Sequence, residues 1–125
     1  MIRTFVAAIT ACSIAASPAV AQSLVAMPTP LGQVLAAATN NMTLYTFDND
    51  AQNLSNCYES CADAWPPFLA SETAQPEGAL GIIERRDGTR QWAIKGQPLY
   101  FWQGDTAPGD TTGDGVGGVW HVVNY

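Results

Sequence analysis

Short apolar runs separated by turn residues pattern the chain from Leu31 onward. Leu31 to Ala38 and Met42 to Phe47 flank Asn40-Asn41, which predicts a hairpin turn, because asparagine tolerates the left-handed backbone of tight connections. Leu80 to Arg85 and Arg90 to Ile94 flank Asp87-Gly88, a stronger hairpin signal. A second turn at Lys95-Gly96 separates Arg90–Ile94 from Pro98–Trp102, and Trp120 to Val123 reads as the last strand. Between these runs, Ser55 to Ala64 reads as a helical turn around Cys57–Ala64, with Ser55 as its N-cap. Phe68 to Gly78 is a polar linker carrying Pro76, a natural boundary between two halves. The count of about six to seven short strands and one helical turn predicts a mainly β domain, a small antiparallel sheet or barrel-like fold.

The halves repeat. Leu44-Tyr45-Thr46-Phe47-Asp48-Asn49-Asp50 aligns with Leu99-Tyr100-Phe101-Trp102-Gln103-Gly104-Asp105 at an offset of 55 residues, and the same offset carries Trp65 onto Trp120. Within each copy the two rings, Tyr45 and Phe47 or Tyr100 and Trp102, sit at i and i+2 and share one sheet face. Asp50 and Asp105 fall at the strand exits, where a short carboxylate can accept backbone N–H groups and hold a turn. Two equivalent β units, about residues 32–67 and 87–121, with Trp65 and Trp120 packed over the ring faces, would share one aromatic core. The same rings could also offer a platform to a sugar or planar ligand.

Composition adds the destination. Met1-Ile2-Arg3-Thr4 is a short basic start, Phe5 to Ala16 is apolar, and Ala19-Val20-Ala21 is a small-x-small cleavage box. That order predicts a signal peptide over residues 1–21, cleaved after Ala21, with a single domain over 22–125. The apolar run is roughly half of what a bilayer crossing needs. Ile9-Thr10-Ala11-Cys12 has the residue types of a lipidation box, but only Phe5 to Ala8 would precede it as an apolar segment, which argues against a lipid anchor. The expected address is the periplasm or the medium. Of 125 residues, eleven are Asp or Glu and five Lys or Arg, a formal net charge of −6. Nucleic-acid affinity is carried by clustered Lys and Arg, so this balance argues against a nucleic-acid partner. No long apolar stretch beyond the N-terminus predicts a membrane span.

Export changes how the cysteines read. Cys57 and Cys61 remain after the leader, and in an oxidising compartment a pair is most simply a disulfide. On an ideal helix their Cα atoms would lie about 6 Å apart, near the upper limit for that bond, so either the bridge is strained or the segment is a tighter turn. A reducible redox pair and metal ligation are the competing readings.

These residues bring a family into view. Tyr45-x-Phe47-x-x-Asp50 and Tyr100-x-Trp102-x-x-Asp105 both fit the Y-x-(F/W/Y)-x-x-D signature of small bacterial secreted repeat proteins described as predicted lipoproteins. Cys57-x-x-x-Cys61-Ala62-x-x-Trp65-Pro66-Pro67, Gly96-x-Pro98-Leu99-Tyr100 and Asp105-x-x-Pro108-Gly109-Asp110-x-x-Gly113 resemble that family's pattern too. The resemblance spans Gly32 to His121. It implies an exported, two-repeat envelope protein and brings no settled activity with it.

Catalytic chemistry is sparse. The single histidine, His121, follows Trp120 on a strand, so the two point to opposite faces and a buried Trp120 leaves His121 the more exposed. An ordinary surface role, a transition-metal ligand with Asp, Met27 or Met42 as partners, and a general base are its three readings. Asp105, Asp110 and Asp114 lie in a glycine-rich loop whose oxygens would suit Ca²⁺, although the register of a calcium-binding loop is missing. Asp48 and Asp50 alternate onto one face, but so short a chain has little room for a glycosidase cleft. The expected function is a non-catalytic exported module that binds a small ligand, a cation or an envelope partner, with no cofactor required. The alternative is a periplasmic metal-handling or redox protein built on Cys57/Cys61 or His121.

Overall fold

The computed structural model describes residues 22–125. The expected leader, its expected cleavage after Ala21 and the alternative lipidation at Cys12 lie outside them. Eight short strands and one helical turn follow in order: β1 (Leu24–Thr29), β2 (Gly32–Ala37), β3 (Tyr45–Phe47), α1 (Ser60–Ala64), β4 (Leu69–Ala70), β5 (Leu80–Glu84), β6 (Arg90–Ile94), β7 (Gln97–Pro98) and β8 (Trp120–Val122). A single 3-10 turn, Val116–Gly118, precedes β8. All pairings are antiparallel: β1 with β2, β3 with β8, and β6 with each of β4, β5 and β7. The chain is mainly β and built of small antiparallel sheets, as its patterning predicts.

The Asp87-Gly88 and Lys95-Gly96 turns form where expected, with Lys95 and Gly96 both at positive φ (51° and 83°). The first predicted hairpin forms in a shortened version. β2 pairs along its whole length with β1, from Leu24↔Ala37 to Thr29↔Gly32, a strand the patterning does not predict. On its other edge the asparagine turn, with Asn41 at φ 61°, returns the chain antiparallel through Ala37 N–H to Met42 O, the Ala36↔Thr43 bridge and Leu44 N–H to Leu35 O before β3 begins at Tyr45. Two other expectations change. The supposed linker contains β4, whose Leu69 pairs with Gln91 of β6. The helix starts at Ser60, with Glu59 and not Ser55 before it, because Ser55 is buried with its hydroxyl bonded to Tyr100.

The two halves are built alike and through one another. Leu35 N–H donates to Val123 O at 2.9 Å, and Trp92 N–H donates to Phe68 O at 2.9 Å. Leu44 N–H reaches Leu35 O and Leu99 N–H reaches Trp92 O, each at 3.0 Å; Asp48 N–H bonds Val119 O as Gln103 N–H bonds Ala64 O. In the first and last pairs the donor and the acceptor belong to different halves. The β1–β2 hairpin is therefore closed by the end of the second half, and the β5–β6 hairpin by the end of the first.

Two apolar clusters fill the interior. Leu24, Leu35, Leu44, Phe68, Leu80, Trp92 and Leu99 pack under the two hairpins. Tyr45, Cys57, Trp65, Tyr100 and Trp120 form the second cluster, between the motif segments.

Candidate functional site

Tyr45 and Tyr100 meet across an antiparallel bridge, with Tyr45 N–H donating to Tyr100 O at 2.8 Å and Tyr100 N–H to Tyr45 O at 3.0 Å. Since each residue opens its own copy of the motif, a local pseudo-twofold axis runs between them. The side chains obey it. Tyr45 Oη donates to Asp105 Oδ2 and Tyr100 Oη donates to Asp50 Oδ2, each at 2.7 Å. Each motif aspartate thus serves the tyrosine of the other copy. The second oxygens hold turns: Asn56 N–H donates to Asp50 Oδ1 at 2.7 Å, and Thr112 N–H to Asp105 Oδ1 at 3.0 Å.

The indoles follow the same axis. Phe47, Trp120, Trp65 and Trp102 form a four-ring stack that alternates between copies, with centroid spacings of 4.1, 3.8 and 4.1 Å. Trp65 meets Tyr45 edge-on at 5.4 Å, and Trp120 meets Tyr100 edge-on at 5.2 Å. Edge-to-face contacts suit the ring quadrupoles, and each inner indole is also covered on both faces by its neighbours in the stack. Gly113 is obligatory here, since a Cβ would lie 2.8 Å from the Trp65 ring and 2.9 Å from that of Trp102.

Around the tyrosines the symmetry breaks. Arg85 is 4% exposed and donates to Ser55 Oγ (3.1 Å), Gln91 Oε1 (2.8 Å) and Cys57 O (2.7 Å). Ser55 in turn shares a 2.6 Å hydrogen bond with Tyr100, which connects the guanidinium to Asp50 through two hydroxyls. A buried charge is tolerated only when hydrogen-bonded, and this network supplies those bonds. Burial, reinforced by the neighbouring aspartate, pushes both tyrosine hydroxyls well above their ordinary pKa. Asp50 is also raised, because burial outweighs the opposing hydrogen bonds and the charge of Arg85.

A pH dependence follows from Asp50. Below the ordinary carboxyl range the group is protonated in folded and unfolded chains alike, and its burial costs nothing as a charge. As pH rises, the unfolded chain releases this proton first, so the contribution is lost on the way up through the raised folded pKa. Relative to Asp50→Asn, the wild-type urea midpoint is expected to fall between about pH 3 and pH 7; equal differences at both ends would contradict the assignment.

Two surface pockets open at the ends of the stack. One, of about 190 Å³, is lined by Phe47, Asp48, Asp50, Gln52 and Gln97 among others. The other, of about 250 Å³, is lined by Met42, Pro66, Phe101, Trp102 and Asp105 with Asn40 and Thr43. They occupy equivalent places: the 55-residue offset carries Phe47, Asp50, Gln97 and Pro98 of the first onto Trp102, Asp105, Met42 and Thr43 of the second. The motif spacing locates the rings, but nothing in it points to Gln52, Gln97 or Met42 as pocket walls.

The other sequence candidates fall apart spatially. Asp110 Oδ2 accepts from Thr106 and Ala107 N–H groups, which hold its carboxyl below the usual range, and Asp114 Oδ1 accepts from Val122 N–H. With Asp105 turned inward to Tyr45, the proposed Ca²⁺ set of Asp105, Asp110 and Asp114 does not assemble, because each carboxylate is bonded to a different part of the chain. His121 is exposed, as the alternation predicts, and its Nε2 pairs with Asp48 Oδ2 at 2.8 Å; Met27 lies on β1 and Met42 in the Trp102 pocket. Among the described residues no group of three or more His, Cys, Asp or Glu converges on a metal position. Cys57 and Cys61 are disulfide-bonded, with Cα atoms 5.2 Å apart. That is closer than an ideal helix allows, because Cys57 precedes α1, and Cys57 is fully buried against the aromatic cluster.

No curated protein and no solved structure matches the chain. A family profile does, over residues 25–68 and 81–124, two segments that correspond to the two structural halves. The chain therefore belongs to the Lipoprotein_15 family, a secreted repeat of unknown function.

Proposed function

We propose that this secreted repeat protein is a non-catalytic binding module, working in the periplasm or outside the cell after loss of a leader ending at Ala21. Its ligand-facing parts are the two pockets at the ends of the aromatic stack. The observation that carries this reading is the rigid backing of both: Phe47 and Trp102 are each held from behind by a buried indole, at 4.1 Å in both cases. A pre-set ring loses little freedom when a ligand covers it, which favours binding. Acid–base chemistry has few resources here. Both motif carboxylates are engaged by tyrosine hydroxyls, and His121 meets only the exposed Asp48. The redox and metal-handling alternative draws less support, with Cys57 buried and no ligand cluster formed among the described residues.

Heteronuclear NMR with a library of small fragments tests the module reading. Saturable shifts should concentrate on the Trp102 indole N–H and the amides around Phe47 and Gln97. Fragments that leave both pockets untouched would remove it.

A further inference from the structure

We propose that the Phe47 pocket is a site for a neutral sugar ring, an assignment that rests on the module reading above. Four of its walls are fixed by contacts outside the pocket. Phe47 lies nearly parallel to Trp120, with 8° between planes. Gln52 Nε2 donates to Lys95 O at 3.1 Å and lies across Gly96, where a Cβ would come within 2.1 Å of that nitrogen. Asp48 is held by His121, and Asp50 by Asn56 N–H and the Tyr100 hydroxyl.

What remains free in the pocket matches a pyranose. Asp48 Oδ1, Gln52 Oε1 and the Gln97 amide make no hydrogen bond to another described residue, while Phe47 offers an apolar ring. A sugar has an apolar C–H face and a rim of hydroxyls that both donate and accept. The carboxylate and the Gln52 carbonyl take O–H donors, and the Gln97 amide serves either role. Two carboxylates in one small pocket repel anions. The volume, about 190 Å³, is smaller than drug-sized sites and suits one ring.

The second half provides a control within the same molecule. At the places of Gln52, Gln97 and Asp48 it carries Ala107, Met42 and Gln103, and only Met42 of these lines its pocket. The Trp102 pocket has the aromatic ring, but its polar walls are turned to other partners, Asn40 Oδ1 to Met42 N–H, the Thr43 hydroxyl to Asp110 O and Asp105 to Tyr45 and Thr112, so it should not recognise sugars.

The test is a titration of the secreted protein with glucose, galactose, mannose, N-acetylglucosamine and short oligomers of each. The readouts are the side-chain amide resonances of Gln52 and Gln97 and the indole of Trp102. At least one of these sugars should shift the two glutamine amides saturably and leave Trp102 in place. With about a dozen ligand atoms in contact, the dissociation constant should be on the order of 1 mM. Gln97→Ala alters an exposed side chain outside the core and should weaken binding about three- to tenfold. Phe47→Ala should abolish it, with the protein's folded spectrum checked separately. Absence of any saccharide shift, shifts centred on Trp102, or preference for tetramethylammonium over every sugar would overturn the assignment. Fragments binding at either pocket while all sugars fail would overturn the sugar assignment and leave the module reading standing; silence from fragments and sugars alike would remove both.

Discussion

Expressed separately, the two halves, residues 22–78 and 79–125, are expected to remain unfolded as monomers. β3 pairs with β8 and bridges Tyr100, and β4 pairs with β6, all across the division, so separation strips each half of its strand contacts. It also leaves Tyr45 and Tyr100 without Asp105 and Asp50, and it splits the ring stack into unconnected members. Chains of this length are already marginal when self-contained, and neither half closes its own core. Far-UV circular dichroism and amide dispersion should show disorder in each piece. Mixing equimolar halves should restore the dispersed spectrum. A half that folds cooperatively alone would show that the crossed contacts are dispensable.

Trp120→Ala should cost far more than truncating a ring at the end of the stack. Trp120 is 4% exposed, stacks on Phe47 and Trp65, and meets Tyr100 edge-on. Truncating a buried tryptophan costs about 3–5 kcal/mol through lost burial and the cavity left behind. A domain of this size has roughly 5–15 kcal/mol in total, so the variant should melt about 15–30 °C lower. Trp102→Ala removes a half-buried end ring with one stacked neighbour and should cost distinctly less. Calorimetry of both variants decides the matter: equal losses would mean that the inner position confers nothing special.

Much of this arrangement could be read in the chain. The tyrosine, its i+2 aromatic, the aspartate and the tryptophan recur at one offset, and a repeated constellation of buried types implies a repeated environment. Asp87-Gly88 announced its hairpin because few residues adopt left-handed φ. What stayed hidden was non-local. Within one copy Asp50 follows Tyr45 by five positions, so local spacing suggests a shared turn, whereas the actual partner of Tyr45 lies 60 residues away. β1 is not legible in the pattern because Leu24 to Thr29 contains Pro28, and Pro reads as a strand breaker unless the strand is at an edge. Arg85 reads only as the last residue of a strand; the fold alone brings Ser55, Gln91 and the Cys57 carbonyl around it. The pocket walls were equally unreadable, since Gln52 and Gln97 meet through the turn at Lys95-Gly96.

The crossed tyrosine–aspartate pairs bear on assembly. A lone unit with this motif would complete the same hydroxyl contacts by meeting an identical copy, as a symmetric homodimer. Such a dimer must display every surface feature twice. A tandem chain is free of that constraint: the first half carries a disulfide where the second has a glycine-rich loop, and the second contributes a buried guanidinium that the first lacks.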